Sequence, residues 1–281
     1  MSASPHLSLV VPVFDGETFI EANLRTIVST LEEGLGDRGF ELIVVCDGPR
    51  DRTREIAEAF DHPAVKVFHY PTNQGKGFAI AVGAAQAQGR LVGYLDADLD
   101  IHPSVIVRAV EVFDGEDVDA VIGSKRHRES AVDYPAIRRV YSAGFQTLIR
   151  LLFRFNVRDT QVGAKVFRRE VIDTVVPLLL IKRYAFDVEV LAVAAGFGFD
   201  RIREVPIELS YRFSGTGVDR RAVLRMLQDT LAIAYRIHFR HWYVRRWAGL
   251  HRQRLMDDGP TQAAPLLPPS LESVPAAERV G

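Results

Sequence analysis

The sequence predicts an α/β fold: a mostly parallel sheet covered by helices on both faces. Three observations carry this expectation. Strand and helix patterns alternate along roughly the first hundred residues, as crossover connections between parallel strands require. The strands are short β-branched runs bounded by turns, which marks them as buried. The chain has 281 residues and is 47% hydrophobic, enough for one sizeable core.

The elements follow in order. "LSLVVPVF" (7–14) is a strand that ends in a turn. "TFIEANLRTIVSTLEEGL" (18–35) puts Phe19, Leu24, Ile27, Val28 and Leu31 on one helical face. "FELIVVCDG" (40–48) is a strand, "DRTREIAEAF" (51–60) a helix and "VKVFHY" (65–70) a strand. "GKGFAIAVGAAQAQG" (75–89) is a helix whose small residues allow close packing, and "LVGYLDAD" (91–98) is the fourth strand. "PSVIVRAVEVFDG" (103–115) reads as a helix and "VDAVIGSKR" (118–126) as a strand running into a basic loop. "FDVEVLAVAAGFG" (186–198) is a helix, and "IREVPIELSYRF" (202–213) is a strand region with a Pro break. The Pro/Ala-rich tail reads as disordered.

Composition narrows the function. The net charge is −1, so the whole-chain charge alone names no partner, and together with the motifs it weighs against nucleic acid. Cys46 is the single cysteine, which excludes an internal disulfide and a cysteine metal site. No signal peptide is visible in "MSASPHLSLVVPVF", and no apolar run reaches the roughly 18 residues of a membrane span. These features predict a protein of a reducing compartment, soluble or resting on a membrane without crossing it. Residues 134–158 contain no acid, and Arg138, Arg139 and Arg150 lie there among apolar and aromatic side chains. "LAIAYRIHFRHWYVRRW" (231–247) has a similar composition. Both segments fit helices in a headgroup layer, and equally fit amphipathic packing with a solvated basic face.

Three motifs carry chemistry. In "LDADLD", Asp96, Asp98 and Asp100 occupy alternate positions after a buried strand. An extended segment points them the same way, and a divalent ion would relieve their repulsion. A solvated acidic turn capping the next helix is the other reading. "PVFDG" and "CDGPRDRT" each join a strand to a helix, so Phe14 can cover a nucleobase and Asp47 can accept from one. Asp51 and Thr53 read as turn and cap residues. "NQGKGFAI" (73–80) brings glycine backbone and Lys76 to a helix N-terminus, where phosphate can bind.

Together with "IGSKR", "RDTQVGAKVF" and "RYAFDVEVLAVA", these motifs resemble the family-2, inverting, metal-dependent glycosyltransferases. Within them the pattern is similar to the branch that makes glycosyl-phosphoryl-polyprenols, dolichyl-phosphate glucosyltransferase and dolichol-phosphate mannose synthase. The resemblance implies a GT-A fold over 1–215, a basic helical extension over 216–254 and a tail over 255–281. It implies Mg²⁺ or Mn²⁺ on Asp96, Asp98 and Asp100, and a UDP-sugar or GDP-sugar donor held by Pro12, Phe14, Glu17, Asp47, Lys76, Asp96, Gln161 and Arg212. Ser124, Arg126 and Arg138 would face an acceptor phosphate, Asp159 and Lys165 belong to a pocket loop, and Asp187 and Glu189 lie near the donor sugar. Two positions depart from the family pattern: Gly16 replaces an acid, leaving Glu17 beside it, and Cys46 replaces another.

The expected reaction moves a hexose, glucose first, to a polyprenyl or dolichyl phosphate at the cytoplasmic face of a membrane, with peripheral contact. In that reaction Asp96, Asp98, Arg126, Arg138 and Asp187 form the catalytic set. A soluble enzyme with a hydroxyl acceptor is the alternative, and there Asp187 or Glu189 would be the general base. Mannose from GDP-mannose is a further alternative. A non-catalytic nucleotide-sugar-binding protein is the reading from another class, and the intact Asp96–Asp98 pair counts against it.

Overall fold

The computed structural model describes residues 4–128, 130, 136–153, 157–183, 185–208 and 220–258. The tail expected to be disordered lies, from 259 on, outside them, as does the end of the expected strand region at 209–213.

The N-terminal alternation forms as the sequence predicts. Strand β1 (Leu7–Val13) is buried along its whole length, and helix α1 (Ile20–Leu35) buries Ile20, Leu24, Ile27, Val28, Leu31 and Leu35 along one face. Strand β2 (Phe40–Asp47), helix α2 (Thr53–Glu58), strand β3 (Val65–Tyr70), helix α3 (Lys76–Gln86) and strand β4 (Leu91–Leu95) follow. The second half comprises α4 (Ser104–Gly115), β5 (Ala120–Ser124), α5 (Ala136–Phe153), β6 (Ala164–Arg168), α6 (Arg169–Val175), α7 (Phe186–Gly196), β7 (Ile202–Pro206), α8 (Arg220–His238) and α9 (Trp242–Asp258).

The seven strands make one sheet in the order β3-β2-β1-β4-β6-β5-β7. All neighbours are parallel except β6, which runs antiparallel to β4 and to β5. The sequence reading did not assign β6 as a strand, because its five residues, AKVFR, form a short run without strong turn signals on both sides.

Strand alternation divides the core. On one face Val10, Ile43, Val45 and Tyr94 pack with α3, α6 and α7. On the other, Leu9, Val11, Leu42 and Val44 pack with α1 and α4. Ile233 and Ala234 of α8 and Tyr243 of α9 are buried, and Ile233 and Tyr243 join the first cluster. The helices beyond 216 therefore share the core of the sheet. Leu231, Tyr235 and Phe239 stay exposed on the outer side. The 231–247 segment is not one helix: α8 ends at His238 and His241 adopts a left-handed φ of 46° before α9. Cys46 is fully buried in the second cluster, and burial pushes its thiol up to about 11, so it behaves as a small apolar side chain.

Candidate active site

A cavity of about 530 Å³ opens where β1, β2 and β4 end. Strand order reverses at β1, with β2 on one side and β4 on the other. Such crevices beyond the carboxyl ends of parallel strands are where open α/β sheets bind ligands. Of the residues the sequence singled out, Pro12, Phe14, Asp47, Lys76, Asp96, Asp98, Gln161 and Asp187 line it.

Asp96 follows the last residue of β4, and its backbone N–H donates to the Gly163 carbonyl at 3.0 Å. Its carboxylate pairs with the Lys76 ammonium at 2.6 Å. Burial pushes Asp96 above the ordinary carboxylate range, and Lys76 pulls it back only in part. Asp98 is raised too, first because the surrounding cavity walls thin out the water around its exposed carboxyl, while the Asp100 N–H works against the rise. Lys76 is raised although burial opposes its charge, because Asp96 and Asp187 outweigh that cost. A Cβ on Gly163 would fall 1.8 Å from the Asp96 carboxylate, so only glycine permits this approach. Gly163→Ala is expected to displace Asp96 and to weaken Mn²⁺ binding at least tenfold, read by calorimetric titration; an unchanged affinity would refute the role of this contact.

Asp100 does not join Asp96 and Asp98. The extended segment ends at Leu95, and Leu99 turns the chain with a φ of 53°. The Asp100 N–H instead donates to Asp98 Oδ1 at 3.2 Å. Among the described residues no three His, Cys, Asp or Glu side chains gather as a metal cage. Two carboxylates still suit Mg²⁺ or Mn²⁺, which commonly bind one or two protein carboxylates and complete the shell with phosphate oxygens and water.

Asp47 lines the cavity, but both its oxygens are engaged by the neighbouring loop. Oδ1 accepts from the Gln74 N–H at 2.7 Å, and Oδ2 accepts from the Gly75 N–H at 2.9 Å and the Asn73 amide at 3.0 Å. It shapes the loop rather than standing free for a base. Glu17 faces away: its carboxylate accepts from the Arg52 N–H and its own N–H donates to Asp51. Asp51 accepts from the Thr53 N–H two residues on, an Asx turn leading into α2, whose N-cap position is Arg52. The Phe14 ring has the Arg50 guanidinium 4.9 Å from its centre. Gln161 brings a buried amide nitrogen that finds no partner among the described residues.

Beneath the cavity lies a buried pair. Lys165 donates to Asp187 and, at 2.5 Å, to the Val162 carbonyl, and the Tyr94 hydroxyl donates to the same Asp187 oxygen at 2.6 Å. Burial opposes the Asp187 charge, but Lys165 and Lys76 hold the carboxyl below its usual range. Burial pushes Lys165 down against the pull of Asp187. Glu189 is corrected: fully buried, it faces away from the cavity and accepts from the Leu180 and Ile181 N–H groups and, at 2.6 Å, from the Tyr243 hydroxyl.

Among the described residues, those expected at an acceptor phosphate do not line this cavity. Ser124 is fully buried, and Arg126 is absent from the lining. Asp159 ties its own loop, accepting from the Lys125 and Gln161 N–H groups. The side chain of Arg138 and the whole of Arg212 lie outside the described residues. Sequence reasoning missed Asn73 and Arg183, which line the cavity. Both stand within motifs that drew attention for other residues.

Residues 8–176 match the family described as glycosyl transferase family 2. A dolichyl-phosphate β-glucosyltransferase of Trichomonas vaginalis is 31% identical over 86% of this chain and 77% of its own length. Glucosyl-3-phosphoglycerate synthase from Mycobacterium tuberculosis, solved with UDP, superposes with a TM-score of 0.61 at 22% identity, covering 83% of this chain and 80% of that one. The same enzyme solved with Mn²⁺, UDP-glucose and phosphoglyceric acid gives 0.59 at 21% identity, covering 83% and 79%.

These findings correct the expected acceptor. The solved synthase of this fold holds phosphoglyceric acid, a small phosphorylated acceptor, and among the described residues neither Ser124 nor Arg126, on which the polyprenyl-phosphate expectation rested, lines the cavity. The expected peripheral contact with a cytoplasmic membrane face rested on that acceptor and is withdrawn with it; Ile233 of α8 and Tyr243 of α9 pack in the core, and no described helix is long and apolar enough to cross a membrane. The matched family model, the sheet order and the shared architecture agree: the chain belongs to glycosyl transferase family 2 and is a glycosyltransferase of the GT-A fold.

Proposed function

We propose that the chain transfers a hexose from a UDP-sugar to a hydroxyl of a small phosphorylated acceptor, with Mn²⁺ or Mg²⁺. One observation carries the reading: Lys76, Asp96 and Asp98 converge with Phe14 in a cavity at the ends of three parallel strands. Asp96 and Asp98 would hold the ion together with the donor diphosphate. When bound, the ion offsets the negative charge that grows on the leaving group. Phe14 covers the nucleobase and Pro12 forms the floor beneath it, while the Asp47-tied loop bounds the ribose side. Asp187 keeps its charge because Lys165 lies beneath it, so it is the carboxylate that would take the proton of the acceptor hydroxyl as the new glycosidic bond forms and the bond to the diphosphate breaks. The UDP-glucose, Mn²⁺ and phosphoglyceric acid held by the solved synthase support this choice of donor, ion and acceptor class.

The test is transfer from radiolabelled UDP-glucose, UDP-galactose and GDP-mannose, with Mn²⁺, to 3-phosphoglycerate, glycerol 3-phosphate and a short polyprenyl phosphate. Labelled, water-soluble, anionic product from a UDP-sugar is expected, and chelation with EDTA should abolish it. Label in the organic phase, or label from GDP-mannose alone, would overturn the reading.

A further inference from the structure

The segment before α7 lies across the N-terminus of α3. The Gly77 N–H donates to the Lys182 carbonyl at 2.9 Å. The Lys182 ammonium sits 4.9 Å from the centre of the Phe78 ring and 3.4 Å from Gln74 Oε1. Gly75 has a φ of +103°, and a Cβ there would come within 2.4 Å of the Lys182 carbonyl and 2.9 Å of Arg183 Cγ. The Arg183 carbonyl in turn accepts the Phe186 N–H at 3.1 Å, where α7 begins. These contacts fix the Arg183 backbone against the glycine turn, and its side chain lines the cavity beside Gly75 and Lys76.

The charges around the cavity give this arginine its significance. Asp47, Asp96, Asp98 and Asp187 line the cavity, and Lys76 and Arg183 are the cations that face them. Lys76 is engaged by Asp96, Asp47 by its loop, and Asp187 by the buried Lys165. Among the described residues the Arg183 guanidinium has no ion-pair partner, and it stands exposed at the cavity wall. A guanidinium presents a rigid fork of donors that matches phosphate oxygens. Arg183 and Lys76 are held by one turn, so both address the same polyanion.

The geometry points to Arg183 as the residue that grips the donor diphosphate and takes up charge as the nucleoside diphosphate leaves. This rests on the donor reading given above and adds a residue to it; the sequence had placed this role on Arg212. The test is calorimetric titration of UDP and of uridine, with Mn²⁺, into wild type, Arg183→Ala and Arg183→Lys. Loss of a charge-assisted contact should weaken UDP binding about 10- to 100-fold in Arg183→Ala, with partial recovery in Arg183→Lys. Uridine, which lacks phosphates, should bind all three alike, and KM for the phosphorylated acceptor should stay within about twofold. Unchanged UDP binding in Arg183→Ala overturns the inference alone. So does an equal loss for uridine, which marks a structural role, or a loss confined to the acceptor. A wild type that binds none of UDP, GDP and ADP overturns the donor reading and this inference together.

Discussion

Asp98→Asn is expected to lower kcat about 100- to 1000-fold, the scale seen when one preorganised electrostatic contact to developing charge is lost. The change is nearly isosteric. Asn keeps an oxygen that can accept the Asp100 N–H, so the turn after β4 should survive. What disappears is the charge of one of the two carboxylates assigned to the ion. Mn²⁺ affinity in the presence of UDP should fall at least tenfold, while the thermal midpoint stays within about 1 °C, since Asp98 is exposed and packs on little. Wild-type turnover in this variant would remove Asp98 from the reaction. A large loss of thermal stability would mean that the carboxylate serves the turn rather than the chemistry.

The largest effect on stability is expected from Lys165→Met. The Lys165 side chain is 0% exposed and that of Asp187 9%. Methionine fills the volume but removes the ammonium bonded to Asp187, leaving that buried carboxylate the Tyr94 hydroxyl and the charge of Lys76. Removing one partner of such a pair costs about 3–5 kcal/mol, read from urea denaturation at pH 7. The pH dependence gives a second check. In the wild type the Asp187 carboxyl is held below its unfolded value, so its contribution is complete above about pH 4 and lost as pH falls through the lower folded value. In the variant burial acts without that ammonium, so the same carboxyl stands higher than in the wild type. A raised carboxyl costs stability at neutral pH and less as it protonates. The gap between variant and wild type should therefore narrow from pH 7 to pH 5. A second substitution, Asp187→Asn, added to Lys165→Met should restore part of the loss, because the stranded charge is gone. A constant gap across that range would show that Lys165 acts by packing alone.

These two predictions draw on different kinds of information. Asp98 is legible in the sequence because a carboxylate cluster after a buried strand stands out against apolar neighbours. So are the first four strands, each a β-branched run closed by Gly, Asp or Pro. The Lys165–Asp187 pair joins residues from β6 and α7, and no local pattern announces it. Asp100 fails for a local reason: the alternation argument holds only while the backbone is extended, and Leu99 does not keep it so. Glu17 fails because an acid in a turn serves the neighbouring loop as readily as a ligand. Arg183 reaches the cavity through a tertiary contact across Gly75. Basic stretches were visible, but composition does not say which arginines meet the cavity. In this chain Arg183 does, and Arg126 does not.

The insertion of β6 between β4 and β5 also bears on how the chain matures on the ribosome. Strands β1 to β4 can pair among themselves once about a hundred residues have emerged, since β1 joins β2 on one side and β4 on the other. Strand β5 cannot, because its neighbours are β6 and β7, and both come later. Until residue 168 is made, β4 is an open edge and β5 a buried-type strand with nowhere to dock. Open edges and orphaned apolar strands are the features that invite mispairing during synthesis. A nascent chain stalled between β5 and β6 should be the species that chaperones hold longest, and the arrival of five residues of β6 should release it.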